Sequence, residues 1–143
     1  MPASGGKAAW GTLLKMGDGG GSEVFTTIAE VGDLQGLDFS TDHDELTTHS
    51  SPMGHKEYVA TNIDSGSITF PINFITSDAT HSYISGLTYL WYNRVRRNFR
   101  LVFVDGTTWT CPCTVEKMTV KAPVKGRFSA DLSLKVVGLP TLA

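Results

Sequence analysis

The feature that most constrains this chain is a polar stretch of about thirty residues, a length uncommon for a loop inside a compact domain. It reads DFSTDHDELTTHSSPMGHKEYVATNIDSG. Two stretches that look extended flank it, residues 28–37 (IAEVGDLQGL) and residues 67–74 (SITFPINF). Loops of this length are usually functional or disordered. This one is not low in complexity, and it carries the apolar residues Phe39, Leu46, Met53, Tyr58 and Val59. A segment with anchors but no core of its own suits ordering on a partner. The rest of the chain is expected to supply the fold and to present a long loop near residues 40–62.

That remainder reads as mainly β with one helix. Residues 12–16 form a short first strand, ended by the turn GDGGGS at 17–22,. Gly32 and Gly36 interrupt the next extended stretch and mark a bulge or a close backbone approach,. In 67–74, Ile68, Phe70, Ile72 and Phe74 alternate with Ser67, Thr69, Pro71 and Asn73, so one face is packed and one polar,. Pro71 cannot donate to a ladder, which places an edge or a bulge there. Residues 77–93 carry a helical stripe of Tyr83, Ile84, Leu87, Leu90 and Trp91, capped by Ser77 or Asp78,. Asp105-Gly106 between two apolar runs is a hairpin signal,. In 115–122, Val115, Lys117, Thr119 and Lys121 share one face by alternation; in 129–136, Ala130, Leu132, Leu134 and Val136 do,. The expected fold is an antiparallel β-sandwich or flattened barrel of about seven strands, with a flanking α-helix near residues 77–93.

A length of 143 residues fits one domain, 1–143, opening with an N-terminal arm over residues 1–10 that is ordered only where it docks,. The net charge of −2 gives no global attraction to nucleic acid or to an anionic membrane,. No apolar run has the length of a membrane span, and residues 1–11 lack the apolar stretch of a signal peptide,. Synthesis and folding in a cytoplasm is the expectation.

The chemistry-bearing residues form no catalytic pattern. His43, His49 and His55 lie in the polar stretch with Asp42, Asp44, Glu45 and Glu57, but their spacing matches no metal-ligand set,. Cys111 and Cys113 are separated by one residue, which is neither a redox C-x-x-C nor a zinc half-site with its further ligands,. Reduced, partly buried thiols are expected. No nucleophile elbow, P-loop or dinucleotide fingerprint occurs,. No enzyme activity, cofactor or metal is expected. Arg94, Arg96, Arg97 and Arg100 are the densest positive charge and straddle a helix-to-strand junction. Subunit pairing, a solvated helix end and nucleic-acid contact are the three roles open to them.

The residues also resemble a family. A run with Glu30, Val31, Asp33 and Gly36 precedes a segment with Glu45, Thr47, His49, Ser50, Gly54 and Glu57, then a short turn and a second strand. Their order and spacing resemble the major tail tube proteins of long-tailed bacteriophages, of the bare siphophage type, from Gly11 to the C-terminal LSLKVVGLP. The match lies in many weak positions, none chemically specific. The resemblance implies a virion protein, assembled in the host cytoplasm, whose hexameric rings stack into a hollow tube that passes double-stranded DNA without reading its sequence. It also implies tail tip or baseplate, tape-measure and tail terminator proteins as partners, and no membrane. The immunoglobulin-like C-terminal decoration of some members is expected to be absent.

On this footing the main inter-ring contact is expected from residues 42–62, with Asp42, His43, Leu46, His49, Met53, His55 and Tyr58. Trp10, Arg94, Arg96 and Arg97 are further interface candidates. Ser65, Ser67 and Thr69 are lumen-face candidates, as are Lys117, Thr119 and Lys121. A lumen through which DNA slides should not be strongly basic, so Lys117, Lys121 and Lys135 must be neutralised, by Glu30, Asp33 or Asp131, or face elsewhere. Two alternatives remain open. One is a soluble carbohydrate-binding β-sandwich using Trp109 or Tyr58; the other is the tube protein of a phage-derived injection or secretion system.

Overall fold

The structure is a computed structural model that describes residue 6 and residues 8–142. Its strands are β1 (Leu13–Gly17), β2 (Phe25–Thr27), β3 (Ser40–Glu45), β4 (Tyr58–Asp64), β5 (Ser67–Asn73), β6 (Arg97–Val102), β7 (Thr108–Lys121), β8 (Ser129–Val136) and β9 (Thr141–Leu142). One α-helix, α1 (Leu87–Asn93), precedes β6. A seven-stranded antiparallel sheet runs β2-β1-β6-β7-β8-β5, with β9 beside the start of β7; β3 and β4 make a separate two-stranded sheet.

The long strand β7 organises this sheet. Its first half pairs with β6 and β9, and its second half with β8. Asp105-Gly106 makes the β6–β7 turn as expected, with Phe103 N–H on Thr107 O at 2.8 Å and Gly106 at φ +93. Alternation along β5 and β8 holds: Ile68, Phe70, Ile72, Ala130, Leu132, Leu134 and Val136 are buried. Leu14, Met16, Phe99, Cys111, Cys113 and Val115 meet them in the core, with Leu87 and Leu90 of α1. Fully burying one such large aliphatic or aromatic side chain contributes about 1.5–3 kcal/mol.

Alternation fails along β7. The ladder to β8 slips between Val115 and Lys117, so Glu116 is an extra residue. A bulge flips every later side chain to the opposite face. Val115 is therefore buried while Lys117, Thr119 and Lys121 lie on the outer face.

The sheet does not close into a barrel. One irregular segment, residues 28–37, links its two sides. Ile28 N–H bonds Leu14 O at 2.9 Å, and further along only the bridges Val31–Ile72 and Gln35–Thr69 join it to β5. Pro71 explains why the pairing is sparse. Thr69 and Asn73 both donate toward this segment, to Gln35 O and Glu30 O, and Pro71 between them has no N–H to give,. Gly32 and Gly36 permit the approach. A Cβ at Gly36 (φ +152) would lie 2.8 Å from Ile68 Cα, and one at Gly32 would lie 2.9 Å from Pro71 Cγ. Gly36→Ala is expected to lower stability by more than about 1 kcal/mol, read as a fall in the urea midpoint. An unchanged midpoint would show that the segment yields without cost.

The helix is shorter than the sequence pattern predicts, and residues 76–86 are turns. Polar side chains there take the backbone bonds that a helix would use. Asp78 Oδ1 accepts from Thr80 N–H and Oγ at 2.8 and 2.5 Å, and Thr80 Oγ accepts from Ala29 N–H at 3.1 Å. Buried His81 accepts Ile75 N–H at Nδ1 (3.2 Å), which leaves Nε2–H to donate to Ala29 O at 2.7 Å,. The turn then folds back so tightly that a Cβ at Gly86 would meet the Ser82 nitrogen at 2.4 Å.

Candidate assembly surfaces

The expected long loop near 40–62 is a β-hairpin. β3 and β4 pair antiparallel from Ser40–Asp64 to Glu45–Tyr58, with a register shift after Thr41. Every residue of both strands is exposed, so neither face has a core beneath it. Such a strand has no in–out alternation to read, and β3, STDHDE, is also rich in residues that strands disfavour,.

The tip, residues 46–57, is held by its own polar groups. Ser51 Oγ accepts Thr48 N–H and donates to Glu57 Oε2, both at 2.9 Å. Glu57 N–H donates to Thr47 Oγ at 3.0 Å, and Leu46 N–H to Glu57 O at 2.7 Å. A short 3-10 turn, Pro52–Gly54, forms the apex, where Met53 sits at φ +51 and is 95% exposed. A non-glycine residue there costs on the order of 1–3 kcal/mol and persists where the surroundings enforce it. The tip is therefore a preformed knob on which Leu46, His49, Met53 and His55 are all exposed.

The root of the hairpin is tied to the main sheet. Asp64 bonds Gly66 N–H at 2.9 Å and pairs with Lys135 at 3.2 Å. These two partners, Gly66 first, hold the Asp64 carboxyl below its ordinary range. Phe39 meets the Trp109 ring edge-on at 5.9 Å, and Phe103 meets it from another side at 4.9 Å. Trp109 is thus held in aromatic packing between Phe39 and Phe103.

Of the predicted site residues, Asp42, His43, Leu46, His49, Met53, His55 and Tyr58 are gathered on this arm and exposed. Among the described residues no three His, Cys, Asp or Glu side chains converge to hold a metal ion. Cys111 and Cys113 are free and buried in the core, with Sγ atoms 3.6 Å apart. The hydrogen bond shared with Cys111 and burial both push the Cys113 thiol pKa upward. No helix among the described residues is long and apolar enough to cross a membrane.

The arginines sit elsewhere, at the C-terminal end of α1. Arg94 is the left-handed residue that caps the helix, at φ +53. Arg96 lies beside Gly138 and Pro112, and Arg97 beside Gly19. Arg100 differs: it stacks on Phe25 at 3.9 Å and bonds Thr110 Oγ at 3.3 Å. Trp10 is 91% exposed, in a turn at the mouth of a groove lined by Val31, Leu34, Ile68, Leu101 and Phe103. Most of the expected arm, residues 1–5 and 7, lies outside the described residues.

Ser67 and Thr69 are on the outer face of β5, and Ser65 is in the β4–β5 link. Beside them on that face are Asp33, Gln35, Lys117, Thr119, Asp131 and Ser133. Lys121 pairs with Asp131 at 2.6 Å, and Lys135 with Asp64. Two of the three lysines in question are thus neutralised, one by an expected partner and one by Asp64, which the sequence did not single out. Glu30 instead accepts from Asn73 Nδ2 at 3.0 Å.

The described residues thus form an open sheet with an exposed two-stranded arm, and with Arg94 and Arg96 in solvent at the end of α1. The chain belongs to the phage tail tube protein family, whose model matches residues 8–142. Its fold is similar to solved tail structures. It overlays the virion of a native gene transfer agent particle with a TM-score of 0.74 at 16% identity, covering 96% of this chain and 99% of the other. A tail of an empty gene transfer agent particle, refined with C6 symmetry, gives a TM-score of 0.73 at 20% identity over 92% and 94% of the two chains. The SPP1 tail tube gives 0.64 at 15% identity over 92% and 77%. No curated protein sequence matches the chain.

Proposed function

We propose that this tail tube protein assembles as hexameric rings stacked into a hollow conduit for DNA in a phage tail. The role is structural and needs no cofactor. The observation that carries this reading, beside the family, is the β3–β4 arm. Beyond its root it has no packing partner among the described residues, yet its tip is preformed. Closing the sheet against neighbouring copies would also cover the edges that an open sheet leaves free. Ser67, Thr69 and the paired Lys121–Asp131 and Lys135–Asp64 make the outer face of β5 and β8 nearly neutral, which suits a wall along which DNA slides,. Tail tip or baseplate, tape-measure and terminator proteins are the partners of such a tube, which is assembled in the host cytoplasm and carried in the virion.

Negative-stain electron microscopy across a protein concentration series tests this. Hollow tubes or stacked rings of uniform width are expected above a threshold concentration. Dispersed monomers at every concentration, also after addition of tail tip complexes as initiators, would overturn it.

A further inference from the structure

Two thiols lie together in the core and take no part in the exposed surfaces. Cys111 and Cys113 are both fully buried on the inner face of β7, with Sγ atoms 3.6 Å apart. Cys111 pairs with Phe99 of β6, and Cys113 with Arg97 of β6 and Val136 of β8. Pro112 lies between them, where the strand beside β7 changes from β9 to β8. Its C=O accepts Val137 N–H at 2.9 Å, so its missing N–H falls on the side of that gap and not in the β6 ladder,. Two residues of extended strand span about 6.6 Å, and a proline, held at a φ of about −65°, contracts that step. Bridged cysteines have Cα atoms about 4.4–6.8 Å apart, so the backbone here stands within reach of a bridge. The pair is also polarised. The Cys113 S–H has Cys111 O 3.7 Å away as well as Cys111 Sγ. The hydrogen bond from Cys113 holds the Cys111 thiol pKa below its ordinary value, against burial, while the same bond and burial push Cys113 up. Cys111 is the readier nucleophile, and Cys113 holds its proton.

We propose that Cys111 and Cys113 form a redox site that hydrogen peroxide closes to a disulfide. The Cys111 thiol gives up its proton and its sulfur attacks one peroxide oxygen. The O–O bond breaks, leaving a sulfenic acid at Cys111 and one water. The Cys113 sulfur then attacks Cys111 Sγ and displaces the hydroxyl, which leaves with the Cys113 proton as a second water. Two thiols and one peroxide thus become one disulfide and two waters, with sulfur oxidised and peroxide oxygen reduced. Burial selects the oxidant. A molecule close to water in size enters a close-packed interior through local openings, whereas a tripeptide disulfide such as oxidised glutathione is too large to do so. A bridge across a single residue is strained. It would act on β7, the strand that pairs with β6, β8 and β9, so the oxidised subunit is less stable than the reduced one. Closure depends on the core of one subunit and not on assembly.

Peptide mapping by mass spectrometry of the folded wild-type chain tests this. After hydrogen peroxide, the peptide that carries both cysteines is expected to lose the mass of two hydrogens, with no link between chains. Oxidised glutathione at the same concentration should leave that peptide unchanged. Circular dichroism shows that the fold persists through the reaction, and the thermal midpoint of the oxidised chain should fall. Cys113→Ser should stop at the Cys111 sulfenic acid, trapped by dimedone when denaturant is added, and Cys111→Ser should give no such adduct at Cys113. Melting curves establish that both variants fold, and the wild-type mass does not depend on them. Thiols still reduced when free cysteine in the same tube has been consumed would overturn the proposal. So would equal reaction with oxidised glutathione, disulfides between chains in place of the internal one, a raised thermal midpoint, or a dimedone adduct at Cys113 alone.

Discussion

Replacing residues 46–57 by the dipeptide Asn-Gly is expected to abolish tube formation and to leave a folded subunit. Glu45 and Tyr58 are directly paired, so two residues suffice to close the hairpin, and Asn-Gly suits the primed turn that matches strand twist,. Nearly everything removed is exposed. Ser51 is the buried exception, and its hydrogen-bond partners Thr48 and Glu57 leave with it. No polar atom of the main sheet loses a partner, so stability should change by no more than about 0.5 kcal/mol. Assembly should change far more, because the replacement removes Met53 and the shape that presents it. Apolar anchors at the centre of an interface commonly cost 2 kcal/mol or more each, roughly thirtyfold in a single contact. In a tube each subunit would use that contact, so the loss multiplies along the axis. Sedimentation and electron microscopy read assembly, and thermal unfolding reads the fold. Normal tubes from the shortened chain would remove the arm from the assembly mechanism.

What the sequence revealed depended on whether a segment answers to its own subunit. β5 and β8 each bury one face, so Ile68, Phe70, Leu132 and Leu134 announce themselves by alternation,. β3 buries neither face, so STDHDE has no in–out alternation to read and looks like a loop. The helix failed for the opposite reason. Of the stripe from Tyr83 to Trp91 only Leu87 and Leu90 are buried on a helix; Asp78, Thr80 and His81 spend their side chains on the backbone, and tertiary contacts with Ala29 outweigh helical spacing. The bulge at Glu116 left no local mark, and it reversed the face of Lys117 relative to Val115. The exposed arm was legible as a group, since charge and apolar side chains without a core cluster in residues 40–62. The hollow at the end of α1 was not, because Trp91 and Arg94 become neighbours of Thr114 and Val115 only through the packing of α1 on β7.

His81 is expected to be the most sensitive single position for stability. Its sequence context gave no sign of this, since the other three histidines drew attention to the arm. The ring is fully buried and stacks on Phe74 with centroids 6.0 Å apart. It joins the 75–81 turn to Ala29, where the chain enters the segment that spans the open side of the sheet. His81→Leu would keep most of the volume and leave Ala29 O and Ile75 N–H without their partner. Each buried polar group left unsatisfied costs about 1–3 kcal/mol, so a loss of about 3 kcal/mol is expected. That is a large share of the 5–15 kcal/mol typical of a domain. His81→Gln retains a donor that reaches toward Ala29 O and forgoes the acceptor for Ile75, so it should lose roughly half as much. Urea midpoints for the two variants, both compared with wild type, decide the matter. Leu and Gln variants equally close to wild type would mean that the imidazole is packing volume only. A loss graded from Gln to Leu would assign the hold on residues 28–37 to the two ring nitrogens. It would also predict that tubes of the Leu variant come apart at the lower denaturant concentration, since the segment that bridges the open side of each subunit's sheet would give way first.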